Sequence, residues 1–441
     1  MAGARPGGGE AVRILVLAHN HPDLQPGGTE VVARGLFRAM RDGGRGVEGL
    51  FLAAVTGHLR EERPGTLLQA APGGRADEAL VWLPHFDRFF LGQHDTHGLA
   101  MTLGPLMAEL RPDVIHLHHP LQFGVETMAL LRRLAPRGAR LVVTLHDYFA
   151  ICPREGQLLR SDGRLCGGPS LDACRRCIPE RSATDHALRR LSLRDAFLDA
   201  DALIAPSAFL RDRFVAAGWD AGRITVIPNA VAAGGAPAPH RALPPGGRRD
   251  RFAFLGHVNR FKGSLVALAA SARLSAAGVA HGLSLHGGAD YQPDAFLAEF
   301  RAALAAAPAA RHHGPYEAAE LPRRIAAADW VVVPSIWYEN APLVVLEAFR
   351  HRRPVICGDA GGMAELVTDG VDGLHAPIGD AEGWAEVMAR AAGEPGLWDR
   401  LVAGIRPPQD LDAMADAHLG LYRRLARRRA APSRPLTAAT A

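Results

Sequence analysis

The chain has 441 residues, 48% of them hydrophobic, which is enough to bury two or three separate cores and excludes a disordered protein. Its 50 basic and 46 acidic side chains leave a formal charge of +4, and only 6% of residues are aromatic; no basic patch interleaved with stacking rings marks a nucleic-acid binder. No run reaches the ~18 uninterrupted apolar residues of a membrane span, and the glycine-rich first ten residues lack an apolar signal core, so folding in the cytoplasm is expected.

Residues 1–10 are expected to be disordered. From residue 11 onward, short β-branched or apolar runs alternate with longer helical patterns, which argues for an α/β protein with parallel sheets covered by helices on both faces. A first unit over 11–231 is predicted to hold strands near Arg13–Ala18, Leu50–Val55, Asp113–Leu117, Leu141–Leu145 and Ala202–Ala205. Its helices fall near Thr29–Met40, Leu99–Leu110, Gln122–Leu134 and Asp185–Leu198. The Gly-, Pro- and Ala-rich stretch 232–250 reads as a flexible linker. A second unit over 251–408 is predicted to hold strands near Phe252–Leu255, Leu283–His286, Trp330–Val333 and Pro354–Cys357. Its helices fall near Ser264–Ala277, Asp294–Ala306, Glu317–Ala327 and Pro342–Arg350. Apolar spacing over Leu411–Leu425 predicts a helix within 409–428 that packs back on the first unit, followed by a disordered tail over 429–441. Two doubly wound, Rossmann-like units joined by a hinge place a ligand cleft between the carboxyl ends of their strands.

Four of the five cysteines lie between Cys152 and Cys177, in a Cys-rich insertion of the first unit spanning 149–180. In a cytoplasmic chain such crowding favours metal over disulfides. Cys174 and Cys177 form a tight chelating pair, and Cys152 and Cys166 would complete a tetrathiolate zinc site of structural role. An iron–sulfur cluster and free or redox-paired thiols are the alternatives. Cys357, at the end of a core strand, reads as a buried apolar residue.

Lys262 is the only lysine; the other basic residues are arginine. It follows the strand Phe252–Leu255 in the loop Gly256-His257-Val258-Asn259-Arg260-Phe261-Lys262-Gly263. There a compact ammonium facing a phosphate suits the glycine-flanked loop better than a wide planar guanidinium. The sharpest pattern is Trp337-Tyr338-Glu339-Asn340-Ala341-Pro342-Leu343-Val344-Val345-Leu346-Glu347. Asn340 is expected to cap a helix with Pro342 in its first turn, leaving the N–H groups of Leu343 and Val344 as an anion site. Glu339 and Glu347 flank that helix end, and carboxylates accept hydrogen bonds from sugar hydroxyls.

A Gly-x(5)-Lys-Gly loop, followed about eighty residues later by two glutamates with seven residues between them, resembles the retaining glycosyltransferases of the GT-B fold, family four. The same family is matched by Gly27-Gly28-Thr29-Glu30, Pro112-Asp113-Val114-Ile115-His116, Thr144-Leu145-His146-Asp147, Ile227-Pro228-Asn229 and Gly361-Gly362 leading to Glu365. The resemblance implies that Lys262 binds the diphosphate of a nucleotide-sugar donor, Glu347 its ribose hydroxyls and Glu339 the hydroxyls of its sugar. Asn340, Leu343 and Val344 would line the phosphate site, and Gly28 would let backbone approach the same phosphates. His146 would stand beside the transferred sugar. Transfer would retain anomeric configuration without a catalytic metal, onto a glycan or glycolipid acceptor.

Two positions depart from the family. His257 stands where an arginine is common, which makes Arg260 the expected second cation, and Asn340-Ala341 replaces an aromatic-glycine pair. Asp-x-Asp triplets at 199–201 and 410–412 lie away from the expected cleft. A nucleotide-sugar epimerase of related fold and a non-catalytic module are the competing readings. A dehydrogenase fits poorly, because no Gly-x-Gly-x-x-Gly turn follows either first strand. Arg423, Arg424, Arg427, Arg428 and Arg429 form a basic run suited to anionic lipid headgroups or to solvent.

Overall fold

The structure is a computed structural model, and the residues it describes are 11–427. The disorder expected at 1–10 and 429–441, together with Arg428 and Arg429, lies outside the described residues.

The chain forms two compact units. The first comprises the residues up to Leu145, Arg189–Ile204 and the residues from Asp412 onward; the second comprises His146–Leu188 and Ala205–Leu411. The Cys-rich segment therefore groups with the second unit, where the sequence had suggested the first. Arg213 Nη1, within the second unit, donates to the Gly167 carbonyl of that segment (3.3 Å), and further bonds tie the neighbouring His146 and Ser207 into the same unit. Asn340 Nδ2 donates to the His146 carbonyl (2.9 Å), Asn229 Nδ2 to the Ala341 carbonyl (3.2 Å), and Ser207 Oγ to Asn340 Oδ1 (2.9 Å).

The first unit holds strands β1 (Val12–Ala18), β2 (Val47–Val55), β3 (Leu68–Ala70) and β4 (Glu78–Trp82), a small hairpin of β5 (Phe86–Asp87) and β6 (Gly92–Gln93), then β7 (Val114–His118), β8 (Arg140–Thr144) and β9 (Ala202–Ala205). Within this unit the strands of the main sheet run β9-β8-β7-β1-β2-β4-β3. It is parallel except where β3 meets β4. Ile14 to Ala18 are fully buried, as expected of a central parallel strand covered on both faces. The helix Gly28–Asp42 covers one face through Val32, Ala33, Leu36, Phe37 and Met40, which recur at helical spacing. Strand β4 is not apparent in sequence because it opens on Glu78, an acid rarely found in a core. Glu78 is buried because its carboxylate accepts from Arg38 Nε (2.7 Å) and lies 3.1 Å from His21 Nε2. The helix Leu411–Arg427 sits in this unit from Asp412 onward. Its buried Tyr422 hydroxyl bonds His116 Nδ1 (2.7 Å), and Asp416 and Asp412 pair with Arg45 (2.7 and 3.0 Å).

The second unit contains β10 (Ile224–Val226) and a six-stranded parallel sheet of β11 (Arg251–Leu255), β12 (Gly282–His286), β13 (Ala310–His312), β14 (Trp330–Val333), β15 (Val355–Gly358) and β16 (Gly373–Ala376). Its order is β13-β12-β11-β14-β15-β16. Side chains alternate along β11: Phe252 and Phe254 enter one core with Trp330 and Trp384, while Ala253 and Leu255 enter the other with Val331 and Val345. The chain leaves β11 for β12 on one side and later returns to β14 on the other. That reversal opens a crevice beyond the carboxyl ends of β11 and β14.

The stretch 232–250 lacks regular structure but is not a loose tether. Arg353, fully buried, donates to the carbonyls of Ala238 (3.3 Å) and Pro239 (2.7 Å), and buried Asp329 pairs with Arg241 (2.5 Å) and Arg249 (3.2 Å). These bonds strap the segment to the second unit.

Candidate active site in the second unit

Two loops meet at the crevice, one after β11 and one after β14. Gly263 lies at φ +72°, and a Cβ there would stand 1.8 Å from the Pro334 carbonyl oxygen, so only glycine lets the Lys262 loop pack so closely on the second loop. Lys262 N donates to Asn259 Oδ1 (2.8 Å), and Ile336 N donates to the Phe261 carbonyl (2.9 Å).

This packing joins the two residues the sequence singled out. Lys262 Nζ lies 2.6 Å from Glu339 Oε1, which also accepts from Ser335 Oγ (2.7 Å) and Trp337 Nε1 (3.1 Å). Glu339 is only 5% exposed, and among the described residues no group donates to its Oε2. One oxygen of a buried carboxylate thus meets one ammonium and two neutral donors, which leaves the other oxygen for a ligand. Ser335 and Trp337 are site residues that sequence reasoning missed. Their proximity to Glu339 in sequence was the only signal, since neither residue type by itself marks a partner for a carboxylate.

The helix beyond this loop runs Leu343–Arg350, with Pro342 as its N-cap. The expected cap at Asn340 is corrected. Its side chain is spent on Ser207 and the His146 carbonyl, and Pro342, extended at φ −66° and ψ 122°, separates it from the helix. Leu343 and Val344 do occupy the first two helical positions, where N–H groups have no intrahelical acceptor. Gly362 completes the turn: a Cβ there would lie 1.5 Å from the Asn340 carbonyl oxygen, and its N–H donates to the Glu339 carbonyl (2.6 Å). Glu365 follows, accepting from the N–H groups of Ala208 and Phe209 (2.8 and 2.7 Å) at the start of the helix Ala208–Ala216.

Glu347 is half-buried on the helix, and burial alone pushes its carboxyl up to about 7. No ion pair with Arg350 forms; that guanidinium bonds the Ala232 carbonyl. Tyr316 lies close enough to Glu347 for its phenol, already raised by burial, to be lifted further by the carboxylate, to about 12. A carboxylate short of partners accepts hydroxyl donors readily, because they remove the cost of its desolvation.

The remaining expectations divide. Arg260 pairs with Glu299 of the helix Asp294–Ala305 and stands 6.0 Å from the Phe296 ring, so its charge is compensated there. His257 Nε2 meets the Asp290 carbonyl (3.1 Å). His146 lies two residues past the end of β8 and is partly exposed, its carbonyl fixed by Asn340. Gly28 opens the helix Gly28–Asp42 in the first unit, and a Cβ there would meet nothing within 4 Å. Asp201, of the first Asp-x-Asp triplet, is engaged by Arg132 (2.6 Å) and Arg140 (3.5 Å). Among the described residues no three or more His, Cys, Asp or Glu side chains converge closely enough to hold a metal ion, so Cys152, Cys166, Cys174 and Cys177 do not form a closed ligand set.

Residues 26–234 match the family model "Glycosyltransferase Family 4", and residues 249–394 match "Glycosyl transferases group 1". The chain is a family-four glycosyltransferase. A D-inositol 3-phosphate glycosyltransferase of Saccharomonospora viridis is 28% identical over 93% of this chain and 94% of its own. Among solved structures, Anabaena HepE in complex with UDP and glucose superposes with a TM-score of 0.64 at 17% identity, over 94% of this chain and 100% of that one. A sucrose-phosphate synthase of Thermosynechococcus elongatus gives 0.65 at 18% identity, over 94% and 99%. These likenesses show a shared two-domain GT-B fold. In this glycosyltransferase Lys262, Glu339 and Glu347 all belong to one unit.

Proposed function

We propose that this glycosyltransferase moves a sugar, with retention of configuration, from a nucleotide-diphosphate sugar to a glycan, lipid-linked or polyol acceptor. The observation that carries the reading is the contact of Lys262 with Glu339 at the mouth of the crevice, in the loop that leads into the helix Leu343–Arg350 bearing Glu347. HepE in complex with UDP and UDP-glucose supports a uridine donor, and the D-inositol 3-phosphate glycosyltransferase supports a hydroxyl-rich acceptor.

Lys262 and the N–H groups of Leu343 and Val344 bind the diphosphate. Glu347 accepts from the ribose hydroxyls and Glu339 Oε2 from a hydroxyl of the transferred sugar. As the bond between the anomeric carbon and the phosphate oxygen breaks, negative charge grows on the leaving diphosphate, and Lys262 with the helix N-terminus stabilises it without a divalent cation. The acceptor hydroxyl attacks the same face, and its proton passes to the departing phosphate oxygen. His146 orients the sugar. Neither Asn340 nor Arg260 needs to leave its partner for this chemistry.

The test is a thermal-shift panel of UDP-, GDP- and ADP-sugars on the wild-type protein, Lys262→Ala and Glu347→Ala, followed by turnover with the donor that binds. Loss of the shift in both variants and an axial or equatorial product linkage matching the donor support the reading; a normal shift in both refutes it.

No helix among the described residues is long and apolar enough to cross a membrane. Exposed Arg423, Arg424 and Arg427 on the last helix suit contact with an anionic bilayer surface. Co-sedimentation with phosphatidylglycerol vesicles, absent with phosphatidylcholine, checks that placement.

A further inference from the structure

Asn340 stands between two groups of the proposed chemistry. In sequence it follows Glu339, the carboxylate that meets Lys262, and through space it reaches the backbone of His146. It is only 7% exposed, so its carboxamide is committed to partners inside the protein. Nδ2 donates to the His146 carbonyl (2.9 Å), and Oδ1 accepts from Ser207 Oγ (2.9 Å).

Chemistry fixes which way this amide faces. A backbone carbonyl only accepts, so the amino end must turn toward His146. Ser207 fixes the other end. It is buried, its Oγ accepts from Leu210 N (3.2 Å) at the start of the helix Ala208–Ala216, and its single hydroxyl hydrogen is left for Asn340 Oδ1. The loop on either side of Asn340 is held as firmly. Gly362 N donates to the Glu339 carbonyl (2.6 Å), Asn229 Nδ2 to the Ala341 carbonyl (3.2 Å), and the rings of Tyr338 and Phe209 lie 5.0 Å apart.

We propose that Asn340 is a positioning residue for glycosyl transfer: oriented by Ser207, its carboxamide sets the His146 backbone, and with it the imidazole, relative to Glu339. The inference rests on the glycosyl-transfer reading and gives Asn340 a role in turnover in place of the phosphate contact that the family resemblance implied. The link is short. One peptide bond joins Asn340 to Glu339 and one hydrogen bond joins it to His146, so a displaced amide moves the histidine against the acid that holds the same sugar. A misplacement of about 1 Å near reacting atoms costs on the order of a hundredfold in rate.

The test compares kcat with donor affinity in the full-length protein, using whichever of UDP-, GDP- and ADP-glucose stabilises the wild type most, with turnover followed as nucleoside diphosphate release. Asn340→Asp keeps the shape but sets an acceptor against the His146 carbonyl. At pH 8 it should lower kcat by about 30–100-fold while the donor dissociation constant, measured by calorimetry, stays within about threefold. A buried aspartate beside a carbonyl and Glu339 takes up a proton more readily than one in water, and the protonated carboxyl donates as the amide does. The ratio of variant to wild-type kcat should therefore rise at least about fivefold from pH 8 to pH 5.5, a recovery that a merely structural defect does not produce. Ser207→Ala reaches the link from its other end and should lower kcat about three- to tenfold; Ser207→Thr, which keeps the hydroxyl, should restore it to within about twofold. A kcat of Asn340→Asp within about threefold of wild type at pH 8, a ratio flat with pH, or a dissociation constant that rises as much as kcat falls would each overturn the proposal, the last by returning Asn340 to the phosphate site. A wild type that none of the three sugars stabilises overturns the glycosyl-transfer reading as well, whereas a stabilised wild type with unaltered Asn340→Asp turnover removes the positioning role alone.

Discussion

Replacing Glu347 with glutamine should make the protein more stable at alkaline pH and worse at binding its donor. The carboxyl is raised from 4.5 to about 7 by burial, with no compensating partner. At ~1.4 kcal/mol per unit, ionising it in the folded state costs roughly 3 kcal/mol. Because the folded value exceeds the unfolded one, the native protein holds more protons between about 4.5 and 7, and its stability falls as pH rises through that window. Roughly 2–3 kcal/mol of that fall lies between pH 5 and pH 8.

Glutamine removes this slope, though its buried amide keeps part of the desolvation cost. Thermal unfolding of both proteins at pH 5 and pH 8 isolates the term. The wild type should lose several degrees more than the variant over that interval, at about 2–4 °C per kcal/mol for a unit of this size. Nucleotide affinity should move oppositely. Wild-type binding should strengthen as pH rises through about 7, while the variant should show no such step and bind roughly 10–100-fold more weakly at pH 8, the worth of charged hydrogen bonds to two hydroxyls. Equal pH slopes in the two proteins, or an unchanged nucleotide dissociation constant in the variant, would refute the reasoning.

Lys262→Arg keeps the charge but should not preserve donor binding, since a planar fork does not reproduce the single-point contact of Nζ with Glu339 Oε1; a KM within about twofold of wild type counts against a shape-selected ammonium. His146→Ala should cut kcat about a hundredfold or more while leaving the nucleotide dissociation constant within about twofold, measured by calorimetry alongside turnover. Ser207→Ala removes both the bond to Asn340 and the cap on Leu210 N, and should cost about 1–2 kcal/mol in urea unfolding. Tyr422→Phe deletes the buried bond to His116 and should lower stability by about 1 kcal/mol in the same assay.

The order of elements was legible because buried parallel strands read as short apolar runs and their helices as amphipathic periods. Val12–Ala18 and Trp330–Val333 match expectation almost to the residue. The strand opening on Glu78 was not, since its acid is tolerable only beside Arg38 and His21, which come from distant sequence. Asn340 shows the same limit. Its residue type and position suit a cap, but two partners more than a hundred residues away compete for its side chain and win.

By itself, the sequence determined the family, the solitary lysine, the two glutamates and the four clustered cysteines, because these are facts of residue type and spacing. Only the tertiary structure decided that Lys262 and Glu339 touch, that Ser335 and Trp337 share the same carboxylate oxygen, that Arg260 is occupied by Glu299, and that 232–250 is strapped down by Arg353 and Asp329. Those contacts join residues far apart along the chain, and which of several chemically suitable partners a side chain takes depends on where the folded backbone brings them.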